Sequence, residues 1–357
     1  MKILVISLAG IGDTLFATPL IHELRNNFPD AQIDALVLWA GSRDALEGNP
    51  HLNSVFQKNL ITESRITSLK FLGGLRSRHY DISINTHPQS RRHYRCVARL
   101  VGATTRISHD YDHAHGLDRW LVNRTLPQDY QRHSAENNLA LLELVGAKPK
   151  LPHHHYELFL TDAEESWAAE FVAKNNLADR KLLGVHVGSG GTKNLALRRW
   201  PQQHYVELFR ALNREHPDVS VLLMGGPEEK AAHEFIRREV NSPFLVQPET
   251  RNLRQAAALI KRCHAFLSVD TSLMHVAAAV AVPQQIVIET PTLNPTVVPY
   301  GREFTLVPNP VVAGRNLHFY RYDGVGIRGT PDELIRCMAS VKPEAVLQAV
   351  RCALSLS

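Results

Sequence analysis

The sequence predicts an α/β protein built from two Rossmann-like domains, and three observations support this. Strand-like apolar runs alternate with helix-like segments twice along the chain, as in parallel sheets covered by helices on both faces. Several strands lead directly into glycine- or serine-containing turns that open a helix. At 357 residues the chain is also longer than a single hydrophobic core usually allows.

The first domain is predicted to span residues 1–160 and the second residues 161–357. Irregular composition marks the linker at residues 146–160, where Pro149 and Pro152 precede three consecutive histidines, His153 to His155. Consecutive side chains do not converge on one metal ion, so an exposed polar linker is favoured over a metal site. Predicted strands lie at 3–8, 33–38, 82–85, 104–107, 181–187, 219–224 and 265–269, and predicted helices at 90–100, 133–144, 201–215, 271–280 and 343–354. The last helix has two possible positions, on the second domain or back on the first.

Composition limits the classes of partner and compartment. The formal net charge is +5, which fits an anionic small molecule or membrane surface and lacks the dense basic stripe of a nucleic-acid-binding protein. The four cysteines form no Cys-x-x-Cys pair, so neither a zinc ribbon nor a disulfide framework is expected, and a reducing cytoplasm is predicted. No run of about 20 apolar residues occurs, so membrane contact is expected to be peripheral.

The first strand is followed by a glycine turn, Gly10-Ile11-Gly12-Asp13-Thr14. A nicotinamide-dinucleotide fingerprint is excluded because Leu15 stands where the third glycine belongs and no acid ends the second strand. Ligands bind beyond the carboxyl ends of parallel strands, which places Asp13 at such an edge. Asp13 is therefore either a helix N-cap or a general base, and the two roles are compatible because a helix N-terminus favours the ionised carboxylate.

The stretch from Ser268 to His275 is the most informative in the second half. A strand ends here and a helix begins at once, so the amides of Thr271, Ser272 and Leu273 are expected to bind a diphosphate. Asp270 beside them is suited to accept hydrogen bonds from sugar hydroxyls. A simple N-cap role for Asp270 remains the alternative.

Three further groups after strands fit a phosphorylated ligand. The loop at 187–193 contains Ser189 and resembles a phosphate loop, but it lacks the Walker Gly-Lys-Ser/Thr. Arg198 and Arg199 precede a helix, where paired guanidinium donors can clamp phosphate oxygens. Glu228 opens another helix and is either a contact to ribose or base, or a first-turn acid that stabilises its helix.

Together these motifs resemble the ADP-heptose:lipopolysaccharide heptosyltransferase family of GT-B inverting glycosyltransferases. The resemblance covers nearly the whole chain, and its order and spacing are specific where each motif alone is not. Its carriers are Ile3–Ile6 with Gly12-Asp13 and Thr18-Pro19, His133 with Asn138–Leu142 and Gly146, Gly188-Ser189 with Arg198–Pro201, Gly225–Glu228, Asp270-Thr271 with Met274-His275 and Ala277–Ala279, Pro291-Thr292 with Pro299–Gly301, and Val341–Glu344 with Val346.

The resemblance implies a GT-B enzyme with two parallel sheets facing a cleft, an acceptor-binding first domain and a nucleotide-sugar-binding second domain. It implies metal-independent transfer of heptose from ADP-heptose to lipopolysaccharide core at the inner face of the membrane, with no cofactor and no nucleic-acid partner. Asp13 would be the base, Arg198 would take the place of a donor-binding lysine, and Asp270 would hold the heptose. The other expected contacts are Ser189, Arg199, Glu228, Thr271, Ser272, Leu273 and His275 to the donor, and Gly12, Arg92 and Arg95 to an anionic glycolipid acceptor.

Three departures from the family pattern concern the donor, and one is that the glycine-rich loop carries extra residues before Arg198. Ser272 stands where the family often has glycine, and Ile288-Glu289-Thr290-Pro291-Thr292 replaces an aromatic-Gly-Pro-Ser/Thr turn, which places an acid near the donor. They keep two alternatives open: a GT-B transferase with another nucleotide sugar, acting on a different glycan or a protein, and a non-catalytic nucleotide-sugar-binding homologue. The arginines of the first domain (Arg76, Arg78, Arg91, Arg92, Arg95 and Arg99) equally fit a solvated helix face.

Overall fold

The computed structural model describes residues 1–321 and 325–356. The chain forms two compact units. The first contains Met1–Phe159 and Pro295–Tyr300, and the second contains Leu160–Asn294, Gly301–Arg321 and the described residues from Val325 onward. The chain changes unit inside the segment expected to be the linker, whereas the sequence does not predict that Pro295–Tyr300 belongs to the first unit.

The first unit is a parallel sheet whose strands alternate with helices. Its central strand is an apolar run in which every residue after Lys2 is buried. The helix predicted at 133–144 ends early and continues as a 3-10 turn, Leu141–Val145. The elements are β1 (Lys2–Ser7), α1 (Ile11–Leu15), α2 (Thr18–Asn27), β2 (Gln32–Val37), α3 (Ala40–Leu46), β3 (Ser54–Gln57), α4 (Arg65–Arg76), β4 (Ile82–Asn85), α5 (Arg92–Val101), β5 (Thr105–Asp110), α6 (Gly116–Leu121), β6 (Arg124–Pro127) and α7 (Ser134–Ala140).

The second unit repeats this alternation. Two 3-10 turns, Leu195–Arg198 and Pro227–Glu229, interrupt its loops. The elements are α8 (Asp162–Lys174), β7 (Lys181–His186), α9 (Gln202–Glu215), β8 (Val219–Met224), α10 (Lys230–Val240), β9 (Leu245–Val246), α11 (Leu253–Arg262), β10 (Ala265–Ser268), α12 (Ser272–Ala279), β11 (Gln284–Ile288), β12 (Thr305–Val307), α13 (Asn316–Phe319), α14 (Pro331–Ala339) and α15 (Pro343–Ala353).

Both sheets have the same winding. The strand order is β3-β2-β1-β4-β5-β6 in the first sheet and β12-β11-β10-β7-β8-β9 in the second, and all pairs are parallel. The order reverses between β1 and β4 in one sheet and between β7 and β10 in the other. Such a reversal opens a crevice beyond the carboxyl ends of the two strands, where ligands bind in open α/β sheets. This confirms the predicted α/β class with two parallel sheets.

The last helix packs on the second unit. Val346, Val350 and Leu354 are buried in the same apolar cluster as Phe209 and Leu212 of α9. The indole of Trp200 is also buried there, and its Nε1 donates to the carbonyl of Val341 at 2.9 Å. The sequence left two positions open for this helix, and the structure has it on the second unit and not on the first.

The segment predicted to be the linker is less exposed than its composition suggests. Tyr156, Glu157 and Leu158 are buried, and His154 Nε2 contacts Glu23 Oε1 of α2 at 2.9 Å. Glu23 is fully buried and accepts from the amides of Lys150 and Leu151 at 2.7 to 2.9 Å. The segment therefore lies against α2, because the buried carboxylate of Glu23 accepts from backbone amides of the segment in place of water.

The search for membrane-spanning helices covered the described residues, 1–321 and 325–356. None of the helices there combines the length and the apolar character that crossing a bilayer requires.

One ion pair stabilises the start of the second unit and makes its stability depend on pH. Glu164 caps α8 by accepting from the amide of Thr161 at 2.8 Å, and it accepts from Arg254 Nη2 of α11 at 2.7 Å. The Arg254 hydrogen bond, opposed by burial and helped by Thr161, lowers the pKa of Glu164 to about 2. The folded state thus binds this proton less readily than the unfolded chain, so the stabilisation is complete above about pH 4.5 and disappears as pH falls towards 2.

We therefore expect Glu164→Gln to lower the free energy of unfolding at pH 7 by about 2 kcal/mol, because the buried Arg254 loses its carboxylate. The variant should also lose the part of the pH dependence between pH 4.5 and 2. Urea unfolding at several pH values measures both effects. Glu170→Gln, on an exposed position of the same helix, is the control and should behave as wild type. An unchanged stability of Glu164→Gln at pH 7 would contradict the assignment.

Candidate active site

The turn after β1 holds Asp13 through its own backbone. The amide of Gly10 donates to Asp13 Oδ2 at 2.8 Å, and a Cβ atom on Gly10 would lie 3.0 Å from that oxygen. Asp13 is half-buried in α1, and Gly12 beside it is buried. Asp13 is therefore not the N-cap: Gly10 is the N-cap of α1, and Asp13, the third residue of the helix, accepts from its amide. This contact fixes the carboxylate beyond the carboxyl end of β1 and is compatible with a chemical role.

A buried glutamine, Gln89, forms hydrogen bonds with the backbone that leads into this turn. Gln89 is fully buried, and its Oε1 accepts from the amide of Leu8 at 3.2 Å. Its Nε2 donates to the carbonyls of Ile6 at 2.5 Å and of Thr86 at 2.8 Å. These bonds join the ends of β1 and β4, the two strands between which the winding reverses. Gln89 thus positions the turn that carries Asp13, a role that no sequence motif indicates.

Asn138 makes a second buried polar connection in the first unit. Its Oδ1 accepts from the amide of His87 at 2.7 Å, and its Nδ2 donates to the carbonyl of Phe16 at 3.2 Å. The peptide between His87 and Pro88 is cis. Asn138 therefore links α7 to the end of α1 and to the loop after β4. The sequence places Asn138 in a family motif, and the structure shows that its side chain connects these segments by hydrogen bonds.

The two arginines predicted to contact the acceptor lie in different environments. Arg92 opens α5, its side chain is 47% exposed, and its Nε lies 3.5 Å from Asp118 Oδ1. Arg95 is only 1% exposed; its Nη1 lies 3.2 Å from the same Asp118 oxygen and its Nη2 donates to the carbonyl of His109 at 2.8 Å. Despite the opposing burial, these contacts and the amide of His115 lower the pKa of Asp118. Arg92 is thus open to a ligand, whereas Arg95 is an internal counter-ion.

In the second unit Arg198, Asp270 and Thr292 meet at the carboxyl end of β10. Arg198 Nη1 donates to Asp270 Oδ2 at 2.7 Å and to Thr292 Oγ1 at 3.0 Å. The Thr292 hydroxyl donates to the same Asp270 oxygen. Asp270 and Thr292 are buried, and the side chain of Arg198 is 11% exposed. The structure thus brings together two predicted residues and adds Thr292, which the sequence analysis names within family motifs but not as a site residue.

Arg198 has hydrogen-bonding capacity left in this site. Among the described residues its Nε is buried and finds no acceptor. A buried donor without an acceptor is costly, and guanidinium donors suit phosphate and carboxylate oxygens. The arrangement therefore favours an anionic ligand beside Asp270.

Directly after Asp270 the chain turns into α12. Thr271 is the N-cap in extended conformation, and its Oγ1 lies 3.0 Å from His186 Nδ1 at the end of β7. The amides of Ser272 and Leu273 belong to the first turn, which has no acceptors within its own helix. Ser272 is half-buried, whereas Leu273 and His275 are buried. The chain thus has a helix N-terminus at the position where the sequence predicts an anion site, and the side chain of His275 is buried.

The glycine-rich loop after β7 folds back on itself through Ser189. Its hydroxyl donates to the carbonyl of Leu195 at 3.0 Å, and its carbonyl accepts from Arg199 Nη2 at 2.9 Å. Ser189 is 3% exposed. Ser189 and Arg199 therefore hold the loop that precedes Arg198.

The neighbouring glutamates have different tasks. Glu229 is buried, its Oε2 accepts from the amide of Gly226 at 2.8 Å, and a Cβ atom on Gly188 would lie 2.1 Å from its Oε1. Burial opposes ionisation, but His186, Gly226 and Arg199 together lower the pKa of Glu229. Glu228 is exposed, and a Cβ atom on Gly191 would lie 3.3 Å from its Oε2. Both glutamates lie in the first turn, as the sequence allowed for Glu228. Glu228 is exposed, whereas Glu229 contacts the backbone, a role that its capping-box spacing from Gly226 could have revealed.

Glu289, which the sequence predicts to add an acid near the donor, makes a buried contact inside the second unit. Its side chain is 5% exposed, and its Oε2 accepts from the amide of Asn309 at 2.7 Å. Asn309 in turn donates to the carbonyl of Cys337 at 3.0 Å. The carboxylate therefore caps the loop after β12 and is already engaged. Thr292, three residues later, is the member of this segment that contacts Asp270.

Comparison with known proteins gives one family and several relatives. The chain matches the family model for glycosyltransferase family 9 (heptosyltransferase) over residues 68–316. Lipopolysaccharide heptosyltransferase 3 of Escherichia coli (strain K12) is 28% identical over 284 residues, covering 76% of this chain and 78% of that protein. Lipopolysaccharide heptosyltransferase 2 of Salmonella typhimurium (strain LT2) is 29% identical over 299 residues, covering 79% of this chain and 81% of that protein.

Two solved structures share the fold. The glycosyl transferase family 9 protein from Veillonella parvula superposes with a TM-score of 0.77 at 20% identity, covering 100% of this chain and 97% of that chain. The E. coli ADP-heptose lipopolysaccharide heptosyltransferase II superposes with a TM-score of 0.74 at 22% identity, covering 99% of each chain. These likenesses confirm the predicted GT-B fold class.

The position of Gln89 leads to a stability prediction. Replacing Gln89 by leucine, which is of similar size, leaves the buried amide of Leu8 without its acceptor and the carbonyl of Thr86 without the Gln89 donor. We expect the free energy of unfolding to fall by about 2–4 kcal/mol, measured by urea titration. Gln203→Leu on the exposed face of α9 is the control. A loss below about 0.5 kcal/mol would show that Gln89 does not secure the turn.

Proposed function

Because the chain belongs to glycosyltransferase family 9 (heptosyltransferase), we propose that it transfers heptose from ADP-heptose to the core of a lipopolysaccharide, with inversion and without a metal. One observation carries this proposal: Arg198, Asp270 and Thr292 meet at the N-terminus of α12. Positive charge and free amides there suit a diphosphate, while a carboxylate suits sugar hydroxyls.

The donor is proposed to bind the second unit with its diphosphate on the amides of Thr271, Ser272 and Leu273. The N–H groups of Arg198 that do not contact Asp270 donate to the diphosphate. Asp270 accepts hydrogen bonds from heptose hydroxyls. As the bond between the anomeric carbon and the phosphate oxygen breaks, negative charge grows on the departing ADP. A fixed guanidinium and a helix N-terminus stabilise that charge, which is the electrostatic task that a metal performs in other enzymes.

The acceptor is proposed to bind the first unit at the end of β1. Its hydroxyl oxygen attacks the anomeric carbon while its proton moves to the Asp13 carboxylate, so ADP leaves and the configuration inverts. The Asp13 carboxylate is only weakly basic, so positioning must supply much of the effect. The exposed Arg92 suits a phosphorylated glycolipid at the inner membrane surface.

The structure also bears on the two rival hypotheses. The non-catalytic homologue depended on Ser272 and Glu289 together, and the Glu289 carboxylate is engaged by Asn309. The remaining support for that hypothesis is Ser272, which is half-buried and adds a hydroxyl to the proposed phosphate site. No observation favours a UDP- or GDP-sugar over ADP-heptose, so we propose the donor that the family name indicates.

A substitution at Asp13 separates the base role from the contact to Gly10. Asn at this position can still accept from the amide of Gly10 but cannot take a proton at neutral pH. We therefore expect Asp13→Asn to keep wild-type stability and ADP-heptose affinity and to lower kcat about 100-fold or more. Transfer to purified lipopolysaccharide and calorimetric titration measure the two effects. Asp30→Asn, at an exposed turn, should leave both unchanged. Near-normal turnover of Asp13→Asn would refute the base assignment.

A substitution at Arg198 tests donor binding. We expect Arg198→Ala to raise the Kd for ADP-heptose at least about 10-fold, since charge-assisted hydrogen bonds to phosphate are lost. Arg198→Lys keeps the positive charge but loses the paired guanidinium donors, so its Kd should lie between those of the wild type and Arg198→Ala. Arg210→Ala on α9, whose side chain is half-exposed, is the control. Equal affinities in the wild type and Arg198→Ala would contradict the proposed diphosphate site.

A further inference from the structure

The first unit contains a group of metal-binding side chains that the transfer chemistry does not use. His22 lies on α2, His51 lies between α3 and β3, and Glu157 lies in the segment before the second unit. One potential ligand atom from each lies within 4.8 Å of the other two. The sequence favours an exposed linker over a metal site for the consecutive histidines 153–155, and the structure instead brings together residues far apart in the chain.

Glu157 lies at the centre of this group. Its Oε1 is 2.8 Å from His22 Nδ1, and its Oε2 is 3.7 Å from His51 Nε2. Glu157 is 8% exposed, and within the described residues its Oε2 is buried without a hydrogen-bond partner. An unsatisfied carboxylate oxygen is costly in a buried position. A cation between the glutamate and the two histidines removes that cost.

Imidazole nitrogens are common metal ligands, and this group contains two histidine rings. The side chain of His51 is 16% exposed and that of His22 is 22% exposed. Arg25 of α2 is already engaged, because its Nη1 donates to the carbonyls of Pro29 and Ala31 at 2.7 and 2.8 Å. The rings of His22 and His51 are stacked with centroids 3.8 Å apart. Parallel rings do not direct their lone pairs to one point, so binding requires one ring to rotate out of the stack.

We propose that His22, His51 and Glu157 form a zinc(II) site that joins the segment around Glu157 to α2. Two histidine nitrogens and one carboxylate oxygen are a set that zinc favours, at about 2.0–2.2 Å each, with a fourth position open. His155 Nε2, 4.0 Å from Glu157 Oε1 and 42% exposed, can approach that position. The amide of Glu157 already donates to Thr18 Oγ1 of α2 at 3.1 Å. The metal would add a second connection between the same elements.

Zinc titration of the full chain after dialysis against EDTA tests this proposal. We expect one zinc ion per chain with a Kd in the micromolar range or below, and a Tm that rises with zinc. His51→Ala and Glu157→Gln should each weaken binding by about 10-fold or more, as loss of a ligand exceeds the effect of losing an outer-shell partner. Cobalt(II) at the same site should give an intense visible absorption of a four-coordinate ion, and this should vanish in both variants.

His153→Ala is the matched control, because His153 is exposed in the same segment and lies outside the group. It should bind zinc as the wild type does. Glu157→Gln is isosteric and keeps an acceptor for His22, so we expect it to fold, which circular dichroism checks. It therefore still tests the site if His51→Ala is unstable. Chelation should lower Tm without changing the Kd for ADP-heptose, whose proposed residues belong to the second unit. Absence of zinc binding, or binding that survives both substitutions, would overturn the site.

Discussion

The reversal of winding in each parallel sheet is the constraint on which the rest of the structure depends. Two neighbouring strands send their connections to opposite faces, so the backbone beyond their carboxyl ends stays open to a ligand. In the first unit β1 leads to Asp13 and β4 leads to Gln89; in the second β7 leads to Ser189 and β10 leads to Asp270. Every residue with a proposed chemical role in donor or base function follows such a strand or contacts one that does.

This constraint places polar groups in poorly hydrated positions, and several of them have partners within the same unit. Gln89 and Glu229 have no chemical task of their own, yet they provide hydrogen-bond partners for the backbone of the two site loops. Arg198 and Asp270 neutralise one another until a ligand arrives. Pairing lowers the cost of burying both charges and leaves the guanidinium oriented. A preorganised site of this kind stabilises charge in a transition state without having to rearrange.

The sequence predicted the fold class and most of the second-unit site, because hydrophobic alternation and turns at strand ends are local signals. Asp13, Arg198 and Asp270 were all identified in this way. Thr292 and Gln89 were not, since their importance comes from contacts between segments far apart in the chain. Arg95 shows the reverse: its residue type suggested a surface contact, and only packing reveals that it is buried. Local pattern indicates what a residue can do, and tertiary contacts decide what it does.

The central claim is that the chain moves a heptose from ADP-heptose to lipopolysaccharide. Mass spectrometry of a lipopolysaccharide truncated within its core, after incubation with the purified wild-type protein and ADP-heptose, tests this most directly. The account predicts that the lipopolysaccharide gains one heptose for each ADP released. An unchanged lipopolysaccharide with ADP-heptose, together with sugar transfer from a UDP- or GDP-linked donor, would contradict it.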